Sequence, residues 1–544
     1  MYNGKFCQEI ILLQFKAMRL LLLGMMLKLG GGDGARILLV SPQLTSHVMM
    51  QSAIGEQLMR RGHEVFVVIG STFPKAESLK QLGLQTLTYH VPDVHSGLSN
   101  DMEKILGERI FSADFDMLKM ATVTSAVVSK DCDFMLSDNE FMQQVRALKF
   151  DIAIVEPFII NPCDVLLPHN VSDVLLPHNV NVPFVSLANN YLPWIIRMPA
   201  IPSFYRDPSP VSTGSEPTFW NAVWNSAICF VLHWKITSDM WSYTLLDSYS
   251  IGSLTWNELI LKSELFLLVS DHHLGSPLPL FPNMIPVPGV TVRPIEPLPD
   301  ELHALITRSR DGIILVTFGS VTSHFPDSVL FKFLDSFSRL KQTVIAKLSL
   351  PTAVAVPKNV HVFQWLPQND ILSHQRTRLF ITHCGSNGQH EALYHGVPML
   401  GFPLFAEQQS NCERTRAKGF GLTMSVHNFT SAELFDNIQE ILNNEAYRET
   451  IQRSSAVLRD EPLFGPKKAA HWIEHVMKYG SAHLRSPAMD LPIYRFLMFD
   501  VLAIFLIAAF IVIAVICICT VLVTRAIRQK LMFQQRHGRV KKLQ

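Results

Sequence analysis

The sequence predicts an α/β protein of two doubly wound domains facing a cleft, followed by one membrane-spanning helix. Three observations predict it: a strand–helix–strand pattern opening at residue 35, the same pattern restarting at residue 313 beyond a proline-rich stretch, and 24 successive uncharged residues, 501–524. The 544 residues suffice for two large domains and an anchor. Hydrophobic residues at 48%, charged residues at 17% and a mean hydropathy of +0.20 exclude a disordered chain and point to a membrane-inserted part. Lysine plus arginine (47) nearly balances aspartate plus glutamate (46), and seven of the basic residues fall in 525–544, so the body lacks the basic face that a nucleic-acid partner requires.

The ends define the topology. Residues 1–34 read as a removable signal peptide: Lys16, Met18 and Arg19 precede an apolar run, 20–27, which gives way to small residues at 30–34, with Met18 a candidate start. A helix rises 1.5 Å per residue and needs about 20 residues to cross hydrocarbon, so 501–524 spans. Asp500 precedes the span, while Arg525, Arg528, Lys530, Arg536, Arg539, Lys541 and Lys542 follow it, which orients the tail, 525–544, to the cytosol and the body to the lumen. Sequons at Asn170 and Asn428 agree with a lumenal body. Lys541 and Lys542, fourth and third from the end, resemble the dilysine retrieval signal of endoplasmic reticulum membrane proteins.

Between the ends, 35–285 is expected to form the first domain, 286–480 the second, and 481–500 a juxtamembrane segment. In the first, 35–40 (ARILLV) is a strand; a helix follows with Val48, Met49, Ala53, Ile54, Leu58 and Met59 on its apolar face, and 65–69 is the next strand. Further strands are expected at 151–155 and 182–187. The proline-rich stretch 277–299 reads as an interdomain linker. In the second domain, strands are expected at 313–318, 343–347, 361–365, 378–382 and 397–402. An eight-residue segment at 164–171 (DVLLPHNV) recurs at 173–180, too short and too few for a solenoid. The five cysteines outside leader and span, at 132, 163, 229, 384 and 412, are scattered, and no disulfide framework is expected of them.

Chemistry concentrates in 365–411. A strand ends at Thr382, and the small polar turn His383-Cys384-Gly385-Ser386-Asn387-Gly388 opens a helix containing Glu391. Small residues let backbone N–H groups approach an anion, and a helix N-terminus carries about half a positive charge. The turn is therefore a phosphate seat. Trp365 can stack on a base, Glu391 can accept ribose hydroxyls, and Glu407-Gln408 can hold sugar hydroxyls.

This segment resembles the nucleotide-sugar signature of the UDP-glycosyltransferase family, whose animal members include the UDP-glucuronosyltransferases. The likeness extends to Ser46-His47 ahead of Arg61-Gly62-His63-Glu64-Val65, to Pro282-Asn283, to Phe318-Gly319-Ser320 and to the terminal span. It implies the GT-B fold, with acceptor bound by the first Rossmann-like domain and UDP-sugar by the second. It implies an inverting transfer of glucuronic acid or glucose from UDP-glucuronate or UDP-glucose to small lipophilic acceptors, with no metal and no cofactor besides the donor, and it is compatible with homo- or hetero-oligomers. Trp365 then matches the uracil-stacking position and Gln368 a base or ribose contact. Glu391 matches the ribose carboxylate; Ser320, His383, Gly385, Asn387 and Gly388 match the diphosphate turn; Glu407 and Gln408 match the sugar pair. His47 matches the general base.

Two departures stand out. Glu156 stands where the family usually has an aspartate to orient the base, with Asp151 a strand-edge residue, and Glu407 replaces the usual aspartate of the sugar pair. An ungapped count back from Pro282-Asn283 places Val269 where glucuronosyltransferases tend to carry arginine, which favours a neutral sugar. The substitutions also motivate a second reading, a catalytically silent UDP-sugar-binding partner of active relatives. Phe111, Phe115, Trp194, Phe204, Phe219 and Trp220 are apolar candidates for an acceptor pocket.

Overall fold

The computed structural model describes residues 34–92, 110–111, 130–157, 182–188, 193–199, 219–220, 222–224, 226–227, 231, 256–269, 272–275, 277–319, 325–351, 354–405 and 407–540. The leader up to residue 33, the duplicated segment with Asn170, Phe115, Phe204, Ser320 and the terminal Lys541 and Lys542 lie outside the described residues.

Seven parallel strands form the first sheet: β1 (Arg36–Val40), β2 (Glu64–Gly70), β3 (Gln85–Tyr89), β4 (Ile152–Val155), β5 (Phe184–Ala188), β6 (Phe266–Leu268) and β7 (Met284–Pro286), in the order β3-β2-β1-β4-β5-β6-β7. Six parallel strands form the second: β8 (Ile313–Thr317), β9 (Thr343–Lys347), β10 (Val360–Phe363), β11 (Thr377–Thr382), β12 (Met399–Gly401) and β13 (Gly421–Thr423), in the order β10-β9-β8-β11-β12-β13. Both are the doubly wound sheets expected. Each reverses winding direction once, between β1 and β4 and between β8 and β11, and in such sheets ligands bind outside the carboxyl ends at that reversal.

Strands buried on both faces read as continuous apolar runs, which is why β1 and β8 were plain in the sequence: Ile37 to Val40 and Ile313 to Val316 are at most 1% exposed. The structure adds β3, β6, β7 and β13, strands of three to five residues with too little sequence to show a period. β7 lies inside the stretch expected to be linker. It is the outermost strand of its sheet, where Pro286 withdraws no ladder donor from a neighbour.

The first helix, Thr45–Arg60, buries Val48, Ile54 and Leu58 against β1 and β2 and ends at Arg61 before Gly62, which has φ +95°. The helix Gly465–Tyr479 packs back onto it: Ala469, Ala470, Ile473 and Val476 belong to the same core as Ile37, Leu39 and Val48. Glu474 seals the contact with Arg61 at 2.6 Å and His63 at 3.2 Å. The expected second-domain span, 286–480, thus closes on a helix that belongs by packing to the first lobe. In the other direction, Leu44 and Ile110 of the first lobe enter the core built on β8, β9 and β11, and Phe111 meets Phe325 at 5.4 Å between ring centres.

Residues 486–544 form a second unit dominated by the helix Phe499–Val540. Its stretch Phe499–Met532 is, by length and composition, able to cross a membrane. Ile504, Phe505 and Phe510 are each more than two-thirds exposed, an arrangement that costs free energy in water and none in lipid.

Candidate functional site

At the first sheet's reversal, β1 leads into the helix bearing His47, and β4 ends immediately before Glu156, whose backbone N–H donates to the Val40 carbonyl at 3.0 Å. His47 Nδ1 lies 2.7 Å from Glu156 Oε1, and the glutamate side chain is 1% exposed. With Nδ1 carrying the proton for Glu156, Nε2 is left with a lone pair, the form a general base needs. Burial pushes the imidazole pKa down, but the charge and hydrogen bond of Glu156, joined by the charge of Glu407, raise it above its ordinary value. The extra methylene of Glu156 therefore does not break the pairing. Asp151 is exposed and caps the Arg36 N–H at 2.8 Å, a strand-edge role.

At the second sheet's reversal, β8 and β11 end side by side at Thr317 and Thr382 and lead into Gly319 and His383. A β-carbon at Gly319 would stand 2.8 Å from the His383 ring and one at Gly385 would stand 2.5 Å from its Nε2, so the two glycines make the slot in which this imidazole lies. Burial, with Lys347 adding its charge, lowers the His383 pKa to about 4, so the ring is neutral at physiological pH. Its Nδ1 and the Asn387 Oδ1 are buried with no partner among the described residues, polar atoms suited to a polar ligand. Lys347, at the end of β9, donates to the Gly319 carbonyl at 2.7 Å. It is a cation beside the His383 turn that the sequence reading missed. Its signal was a lone charge ending an otherwise uncharged strand, Thr343–Lys347.

Beside the turn, Trp365 presents an indole 59% exposed. Gln368 accepts from Thr317 Oγ1 at 2.5 Å and donates to Glu391 Oε2 at 2.8 Å, so it orients the Glu391 carboxylate. Burial raises the Glu391 pKa to about 7 against the hydrogen bonds of Gln368 and Thr291 and the charge of Arg293. Arg293 is anchored by Asp370 at 2.5 Å. Gly388 is buried under Gln368, with room for its Nε2 3.3 Å from a would-be β-carbon, and serves the packing of the helix. Glu407 is the N-cap of the helix Gln408–Ala417. Gln408 is 4% exposed and its Oε1 accepts from the Leu404 and Phe405 N–H groups at 2.9 and 3.2 Å, so its oxygen folds the loop.

Three expectations change. Cys384 and Cys412 form a disulfide, and Cys132 is disulfide-bonded too, so the scattered cysteines do pair. Adjacency of β11 and β12 brings the turn after one against the helix after the other. Val269 is fully buried in the first-lobe core, so position 269 offers nothing to the cleft and the preference for a neutral sugar loses its footing. Phe219 and Trp220 are 72% and 75% exposed, Trp194 is core, and Phe111 packs into the other lobe.

A fold of two doubly wound sheets, with an imidazole–carboxylate pair at one reversal and a glycine-walled polar turn at the other, fits a nucleotide-sugar transferase. The chain matches the family model "UDP-glucoronosyl and UDP-glucosyl transferase" over residues 36–534 and belongs to that family; it is a glycosyltransferase that uses a UDP-sugar donor. It is 30% identical over 506 residues to UDP-glucuronosyltransferase 1A1 of Homo sapiens, spanning 90% of this chain and 92% of that protein. To UDP-glucuronosyltransferase 2B13 of Oryctolagus cuniculus it is 27% identical over 526 residues, 93% and 96% of the two chains. Among solved structures it resembles the spinosyn forosaminyltransferase SpnP (TM-score 0.55, 15% identity, 82% of this chain and 100% of that one) and the calicheamicin glycosyltransferase CalG4 (TM-score 0.51, 17% identity, 82% and 99%). These likenesses establish the GT-B fold.

Proposed function

We propose that the chain transfers glucuronic acid or glucose from its UDP-sugar to a hydroxyl, acid or amine of small lipophilic acceptors, with inversion at the anomeric carbon. The observation that carries this reading is the His47–Glu156 pair, which feels the charge of Glu407 from the donor lobe. His47 Nε2 takes the acceptor proton as the acceptor oxygen bonds to the anomeric carbon and the bond from that carbon to the diphosphate breaks. Glu156 holds the tautomer and stabilises the imidazolium that forms. Attack from the first-lobe side, opposite the diphosphate, inverts the centre in one displacement. Trp365 stacks the uracil, Glu391 oriented by Gln368 holds the ribose, and Glu407 with the amide end of Gln408 holds the hexose. Leaving-group charge is met by Lys347, by N–H groups at the start of the helix Ser386–His395 and by the neutral His383, with Ser320 a further hydroxyl; this set provides for the charge without a metal ion.

By this reading the catalytic lobes face the lumen of the endoplasmic reticulum and the dilysine end faces the cytosol, supported by Asp500 before the span and Arg525, Arg528 and Lys530 after it. The exposed Asn428 is then available for glycosylation, which glycosidase digestion of the cell-expressed chain checks. Function is tested by incubating the full chain with UDP-glucuronate, UDP-glucose, UDP-galactose and UDP-N-acetylglucosamine against phenols and steroids. One donor should give β-linked product and UDP; UDP binding with no turnover on any donor would overturn the catalytic reading.

A further inference from the structure

We infer that the Cys384–Cys412 disulfide is a covalent brace that holds the diphosphate turn and the sugar-binding helix in one preset geometry, so that donor affinity depends on it. The inference rests on the donor reading of that turn. Cys384 lies between His383 and Gly385; Cys412 sits on the helix capped by Glu407 and begun by Gln408. One bond therefore joins the phosphate end of the seat to its hexose end. Both cysteines are fully buried, and their Cα atoms are 5.4 Å apart.

Two further observations show that the site is built around the bond. Cys384 has φ +64°, the left-handed region that disfavours any residue with a β-carbon. An untethered cysteine there would relax and carry Gly385 and the following N–H groups with it. Gly401 of β12 lies beneath the bridge, and a β-carbon there would stand 2.4 Å from both sulfurs, so the strand leaves room for the pair. Asn411 Nδ2 donates to the Cys384 carbonyl at 2.9 Å, and its own carbonyl accepts from Gln389 Nε2 at 3.0 Å. These bonds steer the turn, but they are exchangeable with water, and the covalent bond is not.

The test uses the full chain in detergent micelles. Peptide mapping without reductant should recover the 384–412 cross-link. In C412V the donor KM and the Kd for UDP should rise by about three- to tenfold, the cost of ordering one or two groups at binding that the brace orders in advance, while the acceptor KM stays put. A purely structural role would move both KM values or lower the active fraction alone. Should C412V not fold, wild type is measured before and after dithiothreitol, which supplies the two electrons and two protons that turn the bond into two thiols. C384G/C412V, which retains the Cys132 disulfide, is the control that should not respond. Absence of the cross-link, or an unchanged UDP affinity in C412V or reduced wild type, overturns the brace alone. Failure of the oxidised wild type to bind UDP overturns the donor seat beneath it.

Discussion

Replacing Glu156 by glutamine isolates the electrostatic part of the base. The buried carboxylate stands 2.7 Å from His47 Nδ1 and is 1% exposed, so it faces the imidazolium formed in the transition state with little water between them. Two unit charges about 4 Å apart at an effective dielectric of about 20 attract by about 4 kcal/mol. Glutamine keeps the shape and an oxygen for Nδ1–H and removes that attraction, so kcat should fall by roughly a thousandfold. The pH profile should move as well. Activity needs the neutral ring, so it is lost as pH falls through the His47 pKa. Glu156 raises that pKa against burial, which lowers it. E156Q removes the charge of Glu156 that opposes burial, and the acidic limb of kcat/KM should shift to lower pH. Coupled UDP-release assays from about pH 5 to about pH 9, with UDP binding as the control for folding, make the measurement. Unchanged kcat and an unmoved limb would refute the pairing of His47 with Glu156.

Other outcomes follow from the donor side. W365A should weaken UDP by about 5- to 150-fold, the worth of about 1–3 kcal/mol for stacking one base, and titration calorimetry showing equal uridine affinity would remove the indole from the base site. K347M should weaken UDP by about tenfold or more while sparing uridine, because a charge-assisted contact is worth about 1.5–3 kcal/mol and only the diphosphate uses it. Equal losses for both ligands would argue that Lys347 only packs. Glu391 has a pKa of about 7 in the fold against an ordinary 4.5, so unfolding releases its proton between those values and stability should fall as pH rises across that window. Thermal midpoints should show that slope in wild type and lose it in E391Q; equal slopes would disprove the assignment.

Local signals carried the reading of the sequence as far as they could. Unbroken apolar runs gave β1, β8 and β11, a charge-free stretch gave the long apolar terminal helix, and a small polar turn after a strand marked the candidate phosphate seat, because each is a property of neighbouring residues. His47 and Glu156, 109 residues apart, were named from a family likeness, but only the adjacency of β1 and β4 puts them in contact. Pairing of Cys384 with Cys412, the place of Lys347 beside Gly319, burial of Val269 and docking of the helix Gly465–Tyr479 on the first lobe were decided by the tertiary structure. An amphipathic stripe says that a face is buried and not against what. The partner is fixed only when the sheets have formed and distant segments meet.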